Sequence, residues 1–301
     1  MRARRLQHAA ETLLVRGALA LLQRLGPVRA SNLGGAVARS LGPFLPVSRV
    51  ADGNLRRALP ALDAAARARV IRGVWDNLGR TAAELPHVAG LGPAASGPGW
   101  VAEGGDFVPA MAAQAGPILF VSGHIGNWEI LPAFAATYGI SLATFYRAAA
   151  NPEVDRIIVG LRQVAAGGAV PQFAKGAAGA RAALAYLRDG GRLGMLVDQK
   201  MNDGIAVPFF GRTAMTAPAA AAFALRFRCP LVAVFVERLG PARFRVVCAP
   251  PLDLPDTGDR PADIATLTAD INRRLEGWIR AHPESWLWLH RRWPKEAAPP
   301  G

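Results

Sequence analysis

Apolar positions along the chain follow two regimes. Up to about residue 84 they recur at helical spacing. Residues 6–25 place Leu6, Ala10, Leu13, Leu14, Gly17, Leu21 and Leu25 on one stripe, with Glu11, Arg16 and Gln23 away from it. Residues 63–84 open on Asp63, suited to a helix N-cap, and turn Val70, Ile71, Val74, Trp75 and Leu78 inward. A Gly/Pro-rich loop is expected over 90–99. Beyond it, short apolar runs alternate with helical periods. Strands are expected at 117–122, 140–146, 193–197, 231–236 and 243–247. Helices are expected at 127–138, at 151–166 behind Asn151-Pro152, at 175–188 before Gly190-Gly191, from Thr216 to about Arg228, and at 263–281. This alternation predicts an α/β fold, with a mixed, largely parallel central sheet flanked by helices. An N-terminal amphipathic helical segment, 1–60, would precede an α/β domain over 61–301.

Composition bounds the class without choosing a function. In 301 residues, 51% are hydrophobic and 19% charged, which excludes a disordered chain. Two cysteines, Cys229 and Cys248, exclude a disulfide scaffold and a Cys-rich zinc site. No run reaches the roughly 20 apolar residues of a membrane span. Glu11 and Arg16 interrupt what would be the apolar part of a signal peptide. The formal net charge of +13 comes from 35 Lys+Arg against 22 Asp+Glu, with Lys only at 175, 200 and 295. It fits an anionic partner or an Arg-rich codon bias. No nucleic-acid-binding motif accompanies it. The stripe over 6–25, flanked by Arg2, Arg4, Arg5, Arg24 and Arg29, suits a helix lying in a membrane interface or one packed on the domain.

In an open α/β sheet, ligands bind beyond the carboxyl ends of the strands. His124, Arg147 and Asp198 each follow an expected strand, so parallel strands would bring all three to one edge. The run Gly123-His-Ile-Gly-Asn-Trp-Glu129 sets a loop His five residues before an early-helix Glu. A carboxylate there could orient the imidazole as a general base for a hydroxyl, and the adjacent helix N-terminus could offer N–H groups to an oxyanion. A structural His and a Glu favoured by the helix dipole fit the same spacing. There is no His-Glu-x-x-His pair, no Gly-x-Ser-x-Gly elbow around Ser122 and no phosphate-binding Gly-Lys loop.

Several further segments join this block. They are Asn54-Leu55 with Pro60, Trp75-Asp-Asn-Leu-Gly79 leading to Glu84, Tyr146-Arg147 with Asn151-Pro152, Leu196-Val-Asp-Gln199, Val207-Pro-Phe-Phe-Gly211 with Thr216, and Pro283 through Trp293. In number and order, over nearly the whole chain, they resemble the bacterial lipid A late acyltransferases (lauroyl and myristoyl transferases). These sit within the lysophospholipid, or glycerolipid, acyltransferase-like superfamily. The resemblance implies transfer of an acyl chain from acyl carrier protein to a hydroxyl of a lipid A precursor, at the cytoplasmic face of the inner membrane. It makes His124 the general base and Glu129 its partner, with no acyl-enzyme, cofactor or metal. Arg147, Asp198 and Asn127 become substrate-binding or oxyanion-supporting residues, and Phe209 and Phe210 candidates for an acyl groove. Trp286, Trp288 and Trp293, with His290, Arg291 and Arg292, suit either a phosphate-facing interface or aromatic packing. The same superfamily includes transferases that use acyl-CoA on other glycolipids, such as phosphatidylinositol mannosides. A non-catalytic lipid-binding relative is a third reading, against which the intact His124, Glu129, Arg147 and Asp198 argue. Basic residues are expected around the mouth of the His124 cleft.

Overall fold

A computed structural model describes residues 2–294, with side chains from Arg4 onward. The chain opens on a long helix, α1 (Arg2–Leu41), broken at Gly26, whose φ of 72° lies outside helical space, just before Pro27. Pro27 cannot donate a helical hydrogen bond, so the stop and the restart fall together. Helices α2 (Ser48–Ala58) and α3 (Ala64–Glu84) follow, and the Asp63 carboxylate caps α3 by accepting from Ala66 N. The second half of α1 lies along α3. A side chain on Gly34 would strike the Gly79 backbone, and one on Gly79 the Gly34 backbone, so these two glycines set the spacing of the two helices.

The rest of the chain alternates as the periodicity predicts. In order it forms β1 (Gly99–Glu103), α4 (Val108–Ala112), β2 (Ile118–Ser122), α5 (Ile130–Ala136), β3 (Leu142–Tyr146) and α6 (Pro152–Ala165). Then come β4 (Gln172–Ala174), α7 (Ala177–Arg188), β5 (Arg192–Leu196), β6 (Lys200–Phe209), β7 (Arg212–Thr216), α8 (Ala219–Phe227), β8 (Leu231–Gly240), β9 (Arg243–Cys248) and α9 (Arg260–Ala281). Seven strands make one sheet in the order β1-β9-β8-β2-β5-β3-β4. Every neighbouring pair is parallel except β8 and β9, which are antiparallel. The fold is therefore α/β, with a mostly parallel sheet flanked by helices.

Three elements differ from the sequence reading. The loop expected over 90–99 gives way to β1, a short edge strand. The stretch 48–58, rich in Arg and Asn, is helical. Residues 200–216 form an antiparallel hairpin, β6-β7, apart from the main sheet. Its buried register depends on packing against α9, where Asn272 donates to Pro208 O and Glu276 accepts from Phe210 N.

Strand residues alternate between two cores. Leu119 and Val121 of β2, with Leu231, Ala233 and Phe235 of β8, pack against α8, α9 and an aromatic cluster. Ile118 and Phe120, with Val232, Val234 and Val236, pack on the opposite face beneath α5. The aromatic cluster is Phe209, Phe210, Trp286, Trp288 and Trp293, all buried and in ring contact. Phe209 and Phe210 therefore do not line an acyl groove. The hairpin folds them into the core, where Phe209 is 0% exposed. Arg292 is equally buried, donating to Met215 O and Thr216 Oγ1 and stacking over Phe209, so it offers nothing to an external phosphate. Arg291 is exposed.

The leucine stripe of α1 faces solvent. Leu13 is 73% exposed, and Leu6, Leu14 and Leu21 are also exposed. The inward side of this half-helix is polar: Asn151 donates to His8 O, Glu11 Oε2 and Thr12 Oγ1. No helix among the described residues is long and apolar enough to cross a membrane. The Arg2 side chain lies outside the described residues.

Candidate active site

The parallel register brings two distant loops together. Ser122 of β2 pairs with Leu196 of β5, so the residues two positions on, His124 and Asp198, leave the sheet at the same height. Asp198 is 0% exposed. Its Oδ1 lies 2.8 Å from His124 Nδ1, and its Oδ2 accepts from His124 N at 2.9 Å and from Trp286 Nε1 at 2.7 Å. Burial pushes the Asp198 carboxyl upward, yet the facing His124 ring and its hydrogen bonds outweigh burial and hold it well below the usual carboxylate range. An ionised Asp198 requires a proton on His124 Nδ1. The lone pair of the neutral ring is then on Nε2, which makes no protein hydrogen bond among the described residues. Nearby His290 is pushed below the ordinary histidine range, mainly by burial.

Glu129 sits elsewhere in this geometry. Its carboxylate takes a bidentate pair from Arg162 of α6, with Nε to Oε2 at 2.8 Å and Nη2 to Oε1 at 2.6 Å. The His ring is thus oriented by Asp198, 74 residues away, while the Glu five residues on is held by a guanidinium. Arg162 is pushed above its ordinary value, chiefly by the hydrogen bonds to Glu129. Its position in mid-helix carried no local motif. The only sequence signal was a lone Arg in the otherwise apolar run Ile157 to Val164.

His124, Glu129, Arg162 and Arg147 line one cavity of about 370 Å³, within the usual range for ligand sites. It runs from this polar mouth under α5 and α6 onto the sheet. There its walls are Phe120, Leu131, Phe134, Ala135, Leu142, Val170 and Val234, with Gly194 and Cys248. Arg147 is exposed at the mouth, with no hydrogen bond or ion pair to another described residue. Lys175 lines the mouth and donates to Gln199. Three cations thus face the opening, and Glu129 is the one acid lining it.

Asn127 does not reach the cavity. It is 0% exposed, donating to Glu84 Oε2 at 2.8 Å and accepting from Glu129 N at 3.1 Å. The N–H groups of Glu129, Ile130 and Leu131 are all taken within the turn, by Asn127 Oδ1, Asn127 O and Trp128 O. The start of α5 therefore has no free N–H there for an oxyanion. Among the described residues, no group of three or more His, Cys, Asp or Glu side chains could hold a metal ion.

Both thiols are buried. Burial pushes Cys229 up to about 11 and Cys248 up to about 12. A search of curated proteins found no match to this chain. The family model for bacterial lipid A biosynthesis acyltransferases, however, matches residues 2–295. A match of that extent means that the chain belongs to this family and is an acyltransferase of lipid A biosynthesis.

Proposed function

We propose that the protein moves a fatty acyl chain from an acyl carrier protein thioester to a hydroxyl of a lipid A precursor, with His124 as general base. The observation that carries this reading is the His124–Asp198 pair at the polar mouth of an apolar cavity. The acyl chain lies in the cavity and the thioester carbonyl at its mouth. Nε2 of His124 takes the proton of the acceptor hydroxyl, and the resulting alkoxide attacks the thioester carbonyl. The tetrahedral intermediate collapses, the carbon–sulfur bond breaks, and the carrier thiolate leaves with the proton returned by His124. A positioned base of this kind contributes roughly 10²–10⁴-fold.

Arg147 supplies the free positive charge for the oxyanion or an acceptor phosphate. Arg162, neutralised by Glu129, fixes the wall of the mouth and links Glu129 to α6. Neither cysteine is an acyl acceptor: thiols pushed to about 11 and about 12 hold almost no thiolate near neutral pH.

The protein works at the cytoplasmic face of the inner membrane, held peripherally by α1. Support comes from the outward leucines of its first half, from Leu41, Phe44 and Leu45 after the kink, and from exposed Arg4, Arg5, Arg16, Arg24 and Arg29. Apolar side chains can enter the headgroup boundary while arginines meet lipid phosphates. The reading is tested by mass spectrometry of lipid A from cells expressing the wild type or His124→Ala. An added acyl chain with the wild type and none with the variant is the expected result. An unchanged lipid A with the wild type overturns it.

A further inference from the structure

Behind the His124 loop, away from the cavity, lies a polar assembly that the transfer chemistry does not touch. Its hub is Glu84, the last residue of α3, which is 0% exposed. Glu84 Oε1 accepts from Ser31 Oγ at 2.6 Å, Arg238 Nη1 at 2.5 Å and Ala242 N at 3.0 Å. Its Oε2 accepts from Asn127 Nδ2 at 2.8 Å. Arg238 also donates to Asn77 Oδ1 at 2.8 Å and Thr81 Oγ1 at 3.2 Å. Asn77 and Thr81 in turn donate to Gly126 O, at 2.9 and 3.2 Å.

The buried ion pair therefore grips the middle of the His124–Glu129 segment at two adjacent residues. It holds the Gly126 carbonyl through Asn77 and Thr81, and the Asn127 side chain directly. On the third side Gly126, with φ of 60°, lies against Val236 O so closely that any side chain would collide. The segment can move neither toward the sheet nor away from α3.

Stability alone does not call for such a device. Burying a carboxylate and a guanidinium costs desolvation that good geometry only offsets, and apolar packing would often serve as well. What the grip secures is height. His124 reaches Asp198 through both its N–H and its Nδ1, at 2.9 and 2.8 Å, and both bonds need the loop in one position. A misplacement of about 1 Å at a reacting group can cost 10²-fold in rate.

We infer that Glu84 is a positioning residue: its buried carboxylate, balanced by Arg238, holds Asn127 and so keeps His124 seated on Asp198. This rests on the reading of His124 as the general base. The test compares two variants that each remove one hydrogen bond to the same carboxylate. Asn127→Ala releases the loop side, and Ser31→Ala releases the α1 side, leaving Asn127 in place. Full-length protein is assayed in phospholipid–detergent micelles with lauroyl, myristoyl and palmitoyl carrier protein and a lipid A precursor. Thermal unfolding is followed alongside.

Asn127→Ala is expected to lower kcat about 10- to 100-fold with both KM values within about threefold. Ser31→Ala is expected to hold kcat within about twofold, even where Tm falls as far as in Asn127→Ala. Adding Glu84→Gln to Asn127→Ala is expected to lower kcat no further than the worse single variant, as for groups acting in one chain. Equal kcat losses in the two single variants, tracking Tm, overturn the inference. So does a wild-type kcat in Asn127→Ala while His124→Ala is inactive. A wild-type rate in His124→Ala overturns the general-base reading itself, and this inference with it.

Discussion

The two faces of the sheet are built from the same kinds of residue and end in opposite states. One face is closed: Phe209, Phe210, Trp286, Trp288 and Trp293 interlock with α9, and Arg292 is stacked among them. The other carries the cavity, where Phe120, Leu142 and Val234 of the sheet stand apart from Phe134 and Ala135 of α5. Asp198 is the seam between the faces. It takes Trp286 Nε1 from the closed side and presents His124 to the open one. Bulk makes the difference. Large rings fill the closed face, whereas the open face places Gly194, Ala135 and Ala166 where larger side chains would reach across. Apolar character marks both faces in the sequence; only the fold decides which of them is hollow.

The largest effect should come from the seam. Asp198→Asn keeps the shape but removes the charge that sets the proton on His124 Nδ1. A loss of roughly 10²–10⁴-fold in kcat is expected, by the precedent of a carboxylate that fixes a catalytic imidazole's tautomer. Single-turnover acyl transfer measures it. A variant within a few fold of wild type would detach the buried carboxylate from the chemistry.

The closed face should answer in stability instead. Phe209→Ala deletes a fully buried ring that packs on Phe210, Trp286 and Trp293. Such truncations cost about 3–5 kcal/mol, read as a drop in Tm or in the denaturant midpoint. The order of preference among acyl donors should stay unchanged, because the ring does not border the cavity. A shift toward longer or shorter donors would show the two faces to be coupled.

The open face should answer in selectivity. Ala135→Leu adds three carbons to the cavity wall beneath Phe134. Activity with the longest accepted donor should fall about tenfold relative to shorter ones, in line with about 1–3 kcal/mol per methylene mismatch. Parallel assays with carrier protein charged with acyl groups of different length measure it. A uniform fall across lengths would mean that the chain does not run past α5.

These contrasts show where the sequence was legible. Local chemistry carried well: the Asp63 cap, Asn151-Pro152 at the start of α6 and the stop at Gly190-Gly191 all lie where their turn preferences put them. The strand ends placed His124, Arg147 and Asp198 on one edge, because parallel strands leave the sheet in one direction. What the chain did not disclose were partners set by register. Asp198 meets His124 because Leu196 pairs with Ser122, and Glu129 meets Arg162 because α6 crosses over α5. The stripe of α1 was legible as a stripe, but which side faces the protein depended on Asn151 taking the polar side. Of the arginines in the +13, many serve internal pairs, such as Arg67 with Asp52, Arg80 with Asp76 and Arg238 with Glu84. The part with functional placement is the small set at the cavity mouth.

The finest contrast lies between the two cysteines, one in each core. Cys229 packs with the closed face and Cys248 lines the cavity. Burial raises both thiols, to about 11 and about 12, so neither is appreciably ionised at pH 8. Reagents that require the thiolate react in proportion to its fraction, which rises tenfold per pH unit while pH stays below the pKa. An alkyl methanethiosulfonate small enough for the cavity should therefore label Cys248 slowly at pH 8. Between pH 8 and 10 that rate should rise about 100-fold, whereas a free thiol of pKa near 8.5 levels off. Cys229, with no cavity leading to it, should stay unlabelled until the protein is unfolded. Intact-mass spectrometry with peptide mapping distinguishes the sites. Labelling of both at equal rates would mean that the closed face opens as readily as the hollow one. Protection of Cys248 by a long-chain acyl carrier protein, but not by a short-chain one, would place the end of the acyl chain against β9.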